Sequence, residues 1–166
     1  LRARVASSPP RTRRPPGAPL GDWRQGADSL ASGLPWSAPL TARLLKVYGT
    51  RVLDLVSLTS QDPALHRVIG EGSSAMLAAE IHLAVQDECA VHLTDILHRR
   101  AMVGLEPDLA IGMDAEVAEM TAPLLGWDAE RIAQEVADHR SYVTRLQGGT
   151  AAMAHSDSVY ERSLTR

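Results

Sequence analysis

The chain has 166 residues, 45% apolar content and a mean hydropathy of -0.11, which sets it at the size of one globular domain with a single core. Its lone cysteine, Cys89, excludes an internally stapled secreted scaffold and points to a reducing, cytoplasmic setting, and no apolar run approaches the ~20 residues needed to span a bilayer. The net charge of -3 is uneven, with a basic start at residues 1–28 and an acidic remainder.

Arg2, Arg4, Arg11, Arg13, Arg14 and Arg24 are interrupted by Pro9, Pro10, Pro15, Pro16 and Pro19. Without aromatic interleaving or helical spacing these arginines carry no nucleic-acid signature, and backbone so rich in proline buries little. Residues 1–33 are therefore expected to form a disordered, linker-like tail. The opening Leu-Arg-Ala-Arg-Val has neither an initiator Met nor a signal-peptide h-region, so the numbering is expected to begin inside a longer chain.

From Leu34 to residue 147 the pattern predicts an all-α domain, a small bundle of about five helices. Ser37-Ala38-Pro39 starts the first, with proline in the turn where its missing N–H is not needed; Leu40, Leu44, Leu45 and Tyr48 follow at helical spacing and Gly49 stops it. Thr50 is a plausible cap for a second helix through Val52, Leu55, Val56 and Leu58, ending before Asp62-Pro63. From Ala75 to Arg100 there is no Gly or Pro, and one long helix, or two meeting near Cys89, both fit. Val103 to Gly112 is a connection around Pro107, for which extended backbone is one reading. The next helix runs from Met113 or Asp114 to Leu125, with Pro123 expected to kink or shorten it. Asp128 is the clearest cap in the chain: Ile132, Val136, His139 and Val143 follow on one stripe, and Trp127 is placed to fold back onto Ile132. Gly148-Gly149 is expected to stop this helix, leaving 148–166 as a polar tail.

The residues offer little chemistry of their own. A GxGxxG, a P-loop and a nucleophile elbow are all missing, and no strand is expected before a glycine-rich turn, so no cofactor-binding or catalytic residues are assigned. Glu88, His92 and Asp95 at i, i+4 and i+7 have a spacing that metal sites use, yet helix-face ion pairs explain them as well, and no metal site is assigned. His82, His92 and His98 point in different directions on a helix and are expected at the surface or the core edge. Cys89, in an apolar stretch without cationic neighbours, is expected to be a buried, inert thiol. Arg99 and Arg100 close the helical stretch, where they complement its dipole; Asp95 pairs with Arg99 at i, i+4, and the guanidiniums can reach an adjacent domain.

Four segments occur in order: Ala79-Glu80-Ile81, Asp87-Glu88-Cys89-Ala90, Asp95-Ile96-Leu97-His98-Arg99-Arg100 and Leu125-Gly126-Trp127-Asp128. Together they resemble the C-terminal helical domain of aerobic, FAD-dependent glycerol-3-phosphate dehydrogenases. The pattern is a helix-opening Glu, an E-x-A step, a D-x-x-x-R-R ending and an L-G-W-D turn, and the likeness covers residues 34–147. His92 and Ala101 stand where the family usually has Thr, and Pro123 is also a departure. The resemblance implies a parent enzyme that oxidises sn-glycerol 3-phosphate to dihydroxyacetone phosphate and passes electrons to quinone at the inner face of the membrane. Flavin and substrate would be held by a separate N-terminal domain, so this chain alone is expected to bind no FAD and to be inactive. Its expected partner is that flavin-binding domain, with Glu88, Asp95, Arg99 and Arg100 as the candidate interface. A freestanding helical interaction module, or a remnant reading frame, is the alternative.

Overall fold

The computed structural model describes the backbone of residue 18 and of residues 23–164, with side chains at residue 18 and over 27–148. Apart from Ala18, the tail expected over residues 1–22 lies outside the described residues. Within the stretch read as tail, Trp23–Ser32 forms helix α1, whose Leu30 and Ala31 pack against the core.

Helix α2 is Ala38–Tyr48, with Ser37 at its N-cap, Pro39 in its first turn, and Gly49 stopping it at φ 58°. All four residues of its expected apolar stripe, Leu40, Leu44, Leu45 and Tyr48, are buried. A 3-10 turn, Gly49–Arg51, leads into α3, Val52–Gln61, so Arg51 rather than Thr50 occupies the N-cap, and it makes no side-chain cap bond.

Residues 75–100 depart from the helical reading at both ends. Val68–Ile69 (β1) and Met76–Leu77 (β2) pair antiparallel, so the stretch opens as extended backbone. β1 thus does precede a glycine-bearing turn, Gly70-Glu71-Gly72, contrary to expectation; it turns straight back into a two-residue partner strand rather than into a crossover helix. Helix α4, Ala78–Gln86, follows at once. The two-helix alternative is the one realised: the chain breaks near Cys89, which takes φ 56°, and resumes as a π-helical segment, Asp95–Arg100. The bond from the Ala101 amide to the Ile96 carbonyl, 2.9 Å long, spans the five residues that define this wider turn.

The 103–112 connection is coiled rather than extended. It holds a 3-10 turn at Val103–Leu105 and left-handed backbone at Met102, Leu109 and Ala110, and Asp108 anchors it by accepting from Ser74 Oγ at 2.7 Å. Helix α5, Asp114–Leu125, carries Pro123 in its last turn and ends at Gly126, φ 68°. Asp128 caps α6 as expected, accepting from the Arg131 amide at 2.8 Å. Trp127 and Ile132 both pack partly on the core, and the Arg131 guanidinium lies 5.9 Å from the Trp127 ring centre.

α6 spans Ala129–Leu164, passing through Gly148-Gly149 instead of stopping there. Glycine in a helix interior costs about 1 kcal/mol relative to alanine without forbidding the helix, and no proline follows. Leu44, Leu55, Leu77, Leu93, Ile96 and Leu97 are fully buried where the helices meet, each worth about 1.5–3 kcal/mol of hydrophobic burial.

Candidate functional site

The framework beneath the site is a buried carboxylate. Glu80, on the first turn of α4, is wholly enclosed, yet it accepts from the Leu77 amide at 2.7 Å and from Tyr48 Oη at 3.0 Å, and it pairs with the Arg43 guanidinium. Arg43 Nη1 also donates to the Ala101 carbonyl at 2.9 Å, tying α2 to the end of the π-helical segment. Burial pushes Glu80 above the usual carboxylate range against the pull of these donors. Burial, then the Glu80 carboxylate, raise Tyr48 well above an ordinary phenol.

On that base lies a cleft of about 450 Å³, lined by Val47, Tyr48, Arg51, Glu88, Arg99, Arg100 and Met102. Arg51 pairs with Glu88, donates from Nε to Asp54 at 3.1 Å, and lies 3.7 Å from Asp87. Burial works against its charge, but the bonds to Glu88 and Asp54 outweigh it and raise its pKa. Arg100 Nε donates to the Glu88 carbonyl at 3.1 Å, with Glu88 Oε2 3.8 Å away. Arg99 Nη1 donates to Asp95, which also accepts from the His92 amide at 3.1 Å. Burial opposes the Asp95 charge, yet the backbone amides and Arg99 hold its carboxyl below the ordinary value.

The structure therefore brings Glu88, Arg99 and Arg100 together at the cleft and sets Asp95 behind Arg99. It does not keep Glu88, His92 and Asp95 on one helical face, because the chain breaks between α4 and the π-helical segment. His92 Nδ1 lies 2.9 Å from Glu135 of α6, whose other carboxylate oxygen accepts from the Leu93 amide at 2.8 Å. Cys89 is exposed rather than buried as expected, and it sits with left-handed backbone at the break after α4.

A second polar cluster lies in the core. His98 is buried rather than peripheral, its Nε2 3.1 Å from Nε2 of His139, with Tyr142 packed edge-on against its ring at 5.0 Å between centres. His139 Nδ1 faces Asp114 at 3.5 Å, and Asp114 accepts from Arg140 Nε at 2.7 Å.

The family model for the C-terminal domain of alpha-glycerophosphate oxidase matches residues 14–132. The chain belongs to this family. Its similarity to individual members extends over 117 residues, 70% of the chain: 37% identity to glycerol-3-phosphate dehydrogenase 2 of Mycobacterium tuberculosis (strain H37Rv) and of Mycobacterium bovis, and 38% to the glycerol-3-phosphate dehydrogenase of Mycobacterium leprae. The matched region is 19% of each relative's length. No solved structure matches the chain.

As a C-terminal alpha-glycerophosphate oxidase domain, the chain places its Glu80 and Asp-x-x-x-Arg-Arg segments at the buried network and at the cleft. Arg51, Tyr48 and Met102 were not singled out for the cleft, since they reach it only through tertiary folding. Glu135 left a trace: it falls beside Val136 on the same stripe as Ile132 and His139, a carboxylate on an otherwise core-facing surface.

Proposed function

We propose that the chain is the helical accessory domain of an FAD-dependent glycerol-3-phosphate dehydrogenase and is catalytically silent alone. The parent reaction is oxidation of sn-glycerol 3-phosphate to dihydroxyacetone phosphate, with electrons passed to quinone. The observation that carries the reading is the family match itself, to a domain that is C-terminal in a much longer protein, reinforced by relatives named as dehydrogenases and matched over only 19% of their length. Flavin and substrate then belong to the remaining portion, and this chain supplies a rigid helical body. No helix among the described residues is long and apolar enough to cross a membrane, so contact with the inner membrane face would come through the parent enzyme.

The docking edge in this reading is the cleft's rim. Glu88 and Asp95 act from within, holding Arg100 and Arg99 so that their outer edges meet carbonyls or carboxylates of the flavin-binding domain. The purified chain is expected to be colourless and to reduce no dye with glycerol 3-phosphate and added FAD; turnover, or stoichiometric yellow flavin, overturns the assignment. Mixing the chain with a separately expressed flavin domain tests the docking edge. Association is expected to weaken in Arg99→Ala and Arg100→Ala, and unchanged association removes that edge from the reading.

A further inference from the structure

The cleft has features of an oxyanion receptor that docking does not require. Its lining carries three guanidiniums against one carboxylate, Glu88. Arg51 is spent on its own chain, with Asp54, Asp87 and Glu88 around it. Arg99 and Arg100 differ from it. Each is held by one edge, Arg99 through Nη1 on Asp95 and Arg100 through Nε on Glu88, and neither Arg99 Nη2 nor either Arg100 Nη has a bonding partner among the described residues.

Fixing a guanidinium by one edge removes much of the side-chain entropy that a ligand would otherwise have to overcome, and presents the remaining N–H groups in a set direction. A carboxylate is satisfied by one such fork. A tetrahedral oxyanion has enough acceptor oxygens to take N–H groups from two forks together. The opening suits a small organic phosphate, since its volume of about 450 Å³ falls in the lower part of the range for ligand sites. Val47 and Met102 give it an apolar side against which a short carbon chain can lie.

We propose that this cleft binds a phosphate group, as a small phosphomonoester or as free inorganic phosphate, between Arg99 and Arg100. The site is tested on the chain alone, so the test does not depend on the docking reading; in a docked chain the flavin-binding domain and phosphate compete for the same outer N–H groups of Arg99 and Arg100.

The experiment is calorimetric titration of the full chain at fixed ionic strength, with inorganic phosphate, glycerol 3-phosphate and acetate as separate probes. One saturable site is expected for a phosphate probe, and the tighter of the two phosphates identifies the source. Arg100→Gln and Arg99→Gln are each expected to weaken binding at least tenfold, Arg99→Lys by less, and Arg67→Gln, at an exposed ion pair with Glu116 elsewhere, not at all. Thermal midpoints measured alongside establish that the variants fold, and Arg99, being the more exposed, gives the decisive pair if Arg100→Gln does not. Absence of saturable phosphate binding, equal binding of acetate, or unchanged affinity in a folded Arg99→Gln chain overturns the proposal.

Discussion

His98 and His139 meet Nε2 to Nε2 at 3.1 Å inside the core, so a single proton serves the space between them. Burial, the facing imidazole and the Arg99 cation bring His98 from 6.5 to about 4, and burial lowers His139 despite Asp114. With folded values below the unfolded ones, the unfolded chain binds more protons across this window. The stabilising contribution is complete above pH 6.5 and is lost as pH falls toward 4. Urea midpoints measured from pH 7.5 to 4.5 are expected to decline, and more shallowly in His98→Gln; identical slopes would remove the pair as the cause.

Glu80 predicts the largest single loss. Glu80→Ala strands the Arg43 guanidinium, the Tyr48 hydroxyl and the Leu77 amide in the interior, at a cost of about 3–5 kcal/mol. Glu80→Gln keeps an acceptor and is expected to cost less. Chemical denaturation ranks the two, and equal stability of wild type and Glu80→Ala contradicts the network's role.

Gly104 lies against the His98 ring, and a Cβ there would stand 2.5 Å from Cε1. Gly104→Ala is expected to destabilise by about 1–3 kcal/mol through overpacking. A thermal melt reads this directly, and an unchanged midpoint shows that the ring yields freely.

At Cys89 the left-handed backbone, φ 56°, strains any residue with a Cβ. Cys89→Gly is expected to stabilise the chain by about 1 kcal/mol. The wild-type thiol, being exposed, is expected to react with a thiol reagent in the folded state. Protection until denaturant is added would contradict the observed exposure.

Much of the fold was legible because it depends on local rules. The α2 stripe, the Gly49 and Gly126 stops and the Asp128 cap follow from spacing and from backbone groups a few residues apart. What escaped was set by distant partners. Met76 and Leu77 have helix-forming side chains but are drawn into pairing with Val68 and Ile69, and the break at Cys89 carries no glycine or proline to announce it. Arg99 and Arg100 could be found as a pair, whereas Arg51, nearly fifty positions earlier, meets them at the same cleft through its tertiary ion pair with Glu88.

Joining α2, the opening of α4 and the Ala101 carbonyl through Arg43 and Glu80 has a dynamic consequence. None of these segments can open to solvent without exposing a charge that another one shields. Their amide protons should therefore exchange together, as one cooperative unit.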